Sequence, residues 1–77
     1  MISFKKLQTV LDNSSRNKTW LRTNSGIGGA TYNKIISAME TPISEGVSIS
    51  AINRICAVLN CQPGDIMEWI PDDEPKV

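Results

Sequence analysis

The side chains whose types suit molecular recognition lie on one predicted helix in the middle of the chain. Asn33 carries an amide and Lys34 an ammonium group, and such groups can hydrogen-bond to the edges of nucleic-acid bases or to phosphates. They share a small and polar helix face with Gly29, Ala30 and Ser37. The opposite face carries apolar residues at intervals of three and four, namely Tyr32, Ile35, Ile36 and Met39. The spacing therefore predicts a helix that packs on a core through one face and exposes the other.

A shorter helix and a tight turn precede this helix and must position it. Asn17 is a suitable N-cap for a helix over Lys18 to Ser25, and Gly26 can adopt the positive backbone angle that ends a helix sharply. Two short helices joined in this way allow a very small protein to place a helix in a DNA groove. The second of them begins with Gly28 and Gly29, which disfavour helix. We expect its first turn to be frayed in the free protein.

Capping residues and apolar spacing predict three further helices. Ser3 is a candidate cap for the first helix of the chain and Ser48 for the fourth, which Asn60 can end in a left-handed conformation. A fifth helix can begin at Pro63 and must stop at Pro71. The apolar positions of these helices are Phe4, Leu7, Val10 and Leu11, then Ile49, Ile52, Ile55, Cys56 and Leu59, then Ile66, Trp69 and Ile70.

The length and the absence of a convincing strand pattern bound the fold. A chain of 77 residues supports one hydrophobic core. We therefore expect an all-α, compact five-helix domain over residues 1–70, followed by a loose acidic tail over residues 71–77.

The charges are balanced in number but not in position. Residues 1–39 contain six Lys or Arg residues and one Asp, whereas residues 40–77 contain two basic and seven acidic residues. The basic half includes the two helices that flank Gly26, so the distribution favours a nucleic-acid partner for that half.

Composition argues against several other classes. No apolar run could span a bilayer and no signal-peptide core is visible, so we expect a cytoplasmic protein without a membrane partner. The chain has no histidine, no paired carboxylates on an apolar face and no phosphate-cradling loop, which argues against an enzyme, a small-molecule substrate, a cofactor or a metal site. Cys56 and Cys61 could form a redox switch, but packing of reduced thiols fits their surroundings better.

Two segments carry a resemblance to a known family. The stretch from Lys18 to Ser37 resembles the helix-turn-helix of the phage Cro and repressor family, also called the xenobiotic-response-element type. The stretch from Ile52 to Ile66, in which Leu59-Asn60-Cys61 is followed by Pro63-Gly64-Asp65, is similar to the segment after the reading helix in a compact bacterial subfamily. The resemblance implies a lambda-repressor-like fold with the helix-turn-helix at the second and third helices.

The resemblance also implies which residues meet DNA. The positions that match the family's base contacts are Gly28, Gly29, Ala30, Asn33, Lys34 and Ser37. The candidates for phosphate contact are Arg16, Asn17, Lys18, Thr19 and Ser48. Asn33 could bond to an adenine edge, Lys34 to guanine or a phosphate, and Ala30 could touch a thymine methyl. The alternative is that Asn33 and Lys34 belong to an ordinary solvated helix face.

Some positions depart from the family pattern. Gly28 stands where a capping serine is common and Gly29 where a base-contacting side chain is common, so direct base readout is expected to be sparse. Arg22 replaces a frequent alanine, which implies either a wider helix crossing or an arginine that lies along the surface. Trp20 replaces a polar residue and could cover the first helix near Phe4 or belong to a partner surface.

The sequence therefore predicts a DNA-binding transcriptional regulator of bacterial or phage type whose third helix reads the major groove of double-stranded DNA. A homodimer on half-sites about 34 Å apart is expected, because one small domain touches few base pairs. Ile66, Trp69 and Ile70 are either its interface or part of the core. The alternative is a protein-interaction module on the same fold, such as an anti-repressor or an antitoxin, with little base readout.

Overall fold

A computed structural model describes residues 1–71, and this part of the chain contains five helices and two short strands. The helices are α1 (Lys5–Asn13), α2 (Lys18–Ser25), α3 (Gly29–Ser37), α4 (Ile49–Leu59) and α5 (Pro63–Ile66). The strands are β1 (Ile2–Ser3) and β2 (Glu68–Trp69). Helix α1 packs on α5, and α2 packs on both α3 and α4. The predicted five-helix class is confirmed.

The core takes residues from every helix, mostly at the positions that the apolar spacing predicts. Ile49 is an exception: the spacing places it on the apolar side of α4, but as the first residue of that helix it is 82% exposed. The largest fully buried side chains are Phe4, Leu7, Leu11, Leu21, Ile35, Ile55 and Ile66. Within α3 and the residues after it, Ile35 and Met39 are buried, whereas Tyr32 and Ile36 are half-buried at the edge of the core. Because these side chains are removed from water, they supply most of the driving force for folding.

The helix ends that flank the turn follow the predicted capping chemistry. The Asn17 side chain accepts a hydrogen bond from the Trp20 backbone N–H at 2.7 Å, which starts α2. Gly26 then ends α2 with φ at 74°. Ser48 caps α4 by accepting from Ala51 N–H at 3.1 Å, and Asn60 ends it with φ at 53°.

The start of α1 differs from the prediction. Phe4, not Ser3, is the N-cap residue, and Ser3 belongs to β1. The Ser3 hydroxyl still accepts from the Lys5 backbone N–H at 3.1 Å. Ser3 therefore accepts a hydrogen bond from the first turn of α1, as a cap would, but it lies one residue before the N-cap position.

The end of the described chain also corrects the prediction. Helix α5 ends at Ile66, and the next residues form β2 instead of a further helical turn. Strand β2 pairs antiparallel with β1, with Ile2 opposite Trp69 and Ser3 opposite Glu68. Ile2 also exchanges backbone hydrogen bonds with Ile43 in the α3–α4 loop, at 2.6 and 2.9 Å. The expectation that no strand is present was wrong, because strands this short leave no alternating pattern to detect.

Most of the predicted acidic tail lies outside the described residues. Pro71 is exposed, and residues 72–77 are not among those described. None of the helices within residues 1–71 is long and apolar enough to cross a membrane.

Candidate nucleic-acid interface

The turn between α2 and α3 is built from three residues with distinct roles. Gly26 adopts the left-handed conformation that ends α2. Ile27 is 9% exposed and anchors the turn on the core. Gly28 is extended, with φ at −70° and ψ at 158°, and is the N-cap of α3 without a side-chain cap bond. Helix α3 therefore begins two residues after Ile27, whose buried side chain fixes the turn on the core.

The structure places every residue predicted for base contact on an exposed surface, which we call the outer face. It consists of Gly28, Gly29, Ala30, Asn33, Lys34 and Ser37. The underside of α3 is fixed by Ile35, whose side chain is fully buried. The outer face thus has the exposure that contact with another molecule requires.

The residues predicted for phosphate contact surround the start of α2 and of α4. Arg16, Asn17, Thr19 and Ser48 are exposed, and Lys18 is half-buried. The side-chain oxygens of Asn17 and Ser48 already accept hydrogen bonds in their capping roles. A phosphate could therefore be met there by backbone N–H groups, by the Asn17 amide nitrogen and by the Ser48 hydroxyl, whose proton is not used in capping, but not by the Asn17 capping oxygen.

Two departures from the family pattern now have a structural description. The Arg22 guanidinium carbon lies 5.5 Å from the centre of the Tyr32 ring, and Arg22 is exposed, so its side chain lies along the surface. Trp20 is half-buried against the core, and the Arg16 guanidinium carbon lies 4.3 Å from the centre of its ring. Both arginines stack on aromatic rings, which restricts them and leaves their edges open to solvent.

Lys34 lies closer to the α3–α4 loop than the sequence indicated. A β-carbon placed on Gly46 would lie 2.8 Å from both Cδ and Nζ of Lys34, and Gly46 has φ at +99°. The lysine side chain therefore lies along this loop, and a residue with a β-carbon at position 46 would displace its flexible end. The ammonium group lies at the side of α3 that faces the loop.

Sequence reasoning missed a polar cleft between the α2–α3 turn and the start of α4. Its volume is about 250 Å³, and its lining includes Gly28 and Ser48 together with Thr31, Ser50 and Arg54. Ser50 and Arg54 are four residues apart and so share a face of α4, but spacing alone does not say which neighbour that face meets. The cleft joins one predicted base contact to one predicted phosphate contact.

The two cysteines have the surroundings of packed thiols. Both are free and half-buried. Burial and the neighbouring Cys56 thiol raise the pKa of Cys61 from 9.0 to about 11. Cys61 is therefore protonated near neutral pH, which favours the packing role over redox reactivity. Within residues 1–71 no group of His, Cys, Asp or Glu side chains could hold a metal ion.

An exposed polar helix that follows a glycine turn and is held by a buried underside defines a helix-turn-helix DNA-binding domain. The family described as Cro/C1-type HTH DNA-binding domain matches residues 6–72. The chain belongs to this family.

Similarity to known proteins is otherwise found in a solved structure. The crystal structure of the transcriptional regulator VanUg, form II, superposes with a TM-score of 0.79 at 32% sequence identity. The similarity covers 92% of this chain and 87% of that chain. No curated protein sequence matches the chain.

Proposed function

We propose that the protein is a sequence-specific transcriptional regulator that inserts α3 into the major groove of DNA and acts as a homodimer. The observation that carries this proposal is the outer face, whose polar and small residues are all exposed on a helix with a buried underside. The similarity to VanUg, described as a transcriptional regulator, supports regulation of transcription.

Within the outer face, we assign base readout mainly to Asn33. Its exposed amide can donate to and accept from an adenine edge, and Ala30, one helical turn earlier, can contact a thymine methyl. We assign Lys34 to a phosphate instead of guanine, because its side chain lies along the α3–α4 loop beside Gly46. Few side chains are thus left for base readout, since Gly28 and Gly29 contribute only backbone.

The phosphate contacts are assigned to both sides of α3. Arg16, Lys18, Thr19 and the backbone around Asn17 would meet one strand near the start of α2, and Ser48 would meet the other near the start of α4. These residues orient the domain on the duplex without reading its sequence.

The homodimer is proposed on energetic grounds, because a domain with sparse base readout needs two half-sites to reach useful specificity. Ile66 does not fit the predicted interface, since its side chain is fully buried and closes the core. Among the residues that the structure describes, Trp69 and Ile49 are the most exposed large apolar residues, at 68% and 82%. Sedimentation of the wild type, Trp69→Ser and Ile49→Ser, with and without DNA, therefore tests the dimer. A wild type that is monomeric at all concentrations and binds DNA as one chain per site would exclude it.

Selection from a random duplex library at rising salt tests the proposal as a whole. A DNA reader yields an enriched motif and an affinity that falls with salt, with a log-log slope of about −4 to −6 for about five or six phosphates. Asn33→Ala should alter the preferred motif, whereas Lys18→Ala should weaken all sequences alike. Lys5→Ala, an exposed change on α1, is the matched control.

The competing function is a protein-interaction module such as an anti-repressor or an antitoxin. It is favoured by the absence of side chains at Gly28 and Gly29 and by the acidic second half of the chain. The selection experiment separates the two functions: no enriched motif, together with a stoichiometric protein partner in a pull-down, would favour the interaction module.

A further inference from the structure

We propose that the polar cleft between the α2–α3 turn and α4 receives one backbone phosphate of the bound duplex, with Arg54 as its principal ligand. The hydroxyl groups of Ser50 and Thr31 are the supporting donors. This inference rests on the proposed DNA-binding function, and it adds a phosphate site whose three proposed ligands, Arg54, Ser50 and Thr31, are outside both predicted contact sets.

The Arg54 guanidinium lies beside the α2–α3 turn. A β-carbon placed on Gly26 would lie 3.2 Å from an Arg54 guanidinium nitrogen, so the arginine reaches across from α4 to the end of α2. Arg54 also lines the cleft together with Gly26, Thr31 and Ser50. The guanidinium therefore stands beside an open polar volume of about 250 Å³ and not against an apolar wall.

Within the described residues 1–71, Arg54 has no protein partner that would explain its charge. It is exposed, and among residues 1–71 no carboxylate lies within ion-pair distance of it and no hydrogen bond or aromatic contact engages it. Arg16 and Arg22, by contrast, each stack on an aromatic ring. Arg54 is also the single basic residue between positions 40 and 71, in the otherwise acidic half. A guanidinium with open donors is suited to bind a phosphate through two parallel hydrogen bonds.

The location of the cleft matches where a phosphate of a bound duplex would lie. Gly28, from the outer face, and Ser48, at the start of α4, both line it. A strand that borders the groove entered by α3 would therefore pass this cleft. The hydroxyls of Ser50 and Thr31 are additional donors there, and the start of the 11-residue helix α4 contributes a favourable dipole.

The test uses the full chain and a duplex from the selection experiment. Arg54→Gln should weaken binding about tenfold for every sequence and should reduce the log-log salt slope by about 0.9, the effect of one phosphate. Arg54→Lys keeps the charge but loses the two-pronged geometry, so it should recover only part of the affinity. Lys5→Gln removes an exposed charge outside the cleft and is the control, and circular dichroism checks that each variant is folded.

Duplexes with a single neutral methylphosphonate locate the contact. The wild type should lose affinity when one particular phosphate is neutral, and Arg54→Gln should be insensitive to that same change. If Arg54→Gln loses no more affinity than Lys5→Gln, or remains sensitive at every phosphate where the wild type is sensitive, the phosphate site is disproved while DNA binding stands. If the wild type binds no duplex, the proposed function fails first and the inference fails with it.

Discussion

At the scale of single residues, two glycines, Gly26 and Gly46, leave space for the cationic side chains that lie beside them. The left-handed conformation of Gly26 follows from its place at the end of a helix, so the sequence predicts it. The proximity of Arg54 to Gly26, and of Lys34 to Gly46, could not be predicted, because both are contacts between distant elements. The sequence shows where the glycines are, but only the fold shows which distant side chain lies next to each of them.

Replacing Gly26 tests its backbone role. We expect Gly26→Ala to lower the free energy of unfolding by about 1 kcal/mol, because alanine disfavours φ at +74° and its β-carbon would press on Arg54. Gly64→Ala is the control, since nothing lies within 4 Å of its added β-carbon, and it should be neutral or slightly stabilising. Urea unfolding measures both; equal stabilities for the two variants would contradict the prediction.

The raised pKa of Cys61 predicts how the free energy of unfolding changes with pH in the alkaline range. Its folded pKa is about 11 and its ordinary value is 9.0, so the folded state holds this proton more tightly than the unfolded state. Stability is therefore expected to fall as pH rises from about 9 towards 11, and to show no pH dependence from this group below that range, where both states keep the proton. Urea unfolding at pH 8 to 11 measures the fall, and it should be shallower in Cys61→Ser; identical pH profiles would refute the assignment.

At the scale of elements, local signals predicted the helices well where a cap and an apolar face agreed. The limits of α2 and the caps of α4 follow from Asn17, Gly26, Ser48 and Asn60. The end of α5 was wrong, because Trp69 and Ile70 continue a helical apolar spacing although their backbone pairs with the start of the chain. Pairing between residues so far apart in sequence leaves no local signal. The position of the polar cleft was missed for the same reason.

Substitutions of Asn17 separate the start of α2 as a folding element from its proposed role on DNA. Asn17→Ala removes the bond to the Trp20 N–H and should cost about 1 kcal/mol of unfolding free energy. Asn17→Asp keeps a capping oxygen and suits the helix dipole, so stability should be retained, but its negative charge should repel a phosphate and weaken DNA binding. Asn17→Asp that binds DNA as tightly as the wild type would remove this helix start from the interface.

At the scale of the whole molecule, the small sheet joins three distant parts of the chain. Ile2 bonds to Ile43 in both directions, and the Ile70 N–H donates to the Met1 carbonyl at 2.8 Å. The loop that carries Gly46 is therefore connected, through β1, to the segment after α5. Neither apolar spacing nor charge distribution revealed this connection.

Removal of residues 1–3 tests that connection. We expect lower overall stability and much faster hydrogen exchange at the Ile43 and Ile70 amides, whose hydrogen-bond acceptors are Ile2 and Met1. The helical amide of Ile55 serves as an internal reference, because its bond is made within α4. Exchange that accelerates equally at all three amides would indicate global unfolding instead of release of the sheet, and unaltered exchange would show that the sheet contributes little.

The same sheet has a consequence for biosynthesis. Strand β1 pairs with residues near position 70. In a nascent chain on the ribosome, β1 therefore remains unpaired until almost the whole domain has left the exit tunnel. The bundle of α1 to α4 can gather earlier, through contacts made as each helix emerges. Closure of the sheet is then a late step in the folding of this domain, because it requires the β2 segment to have emerged.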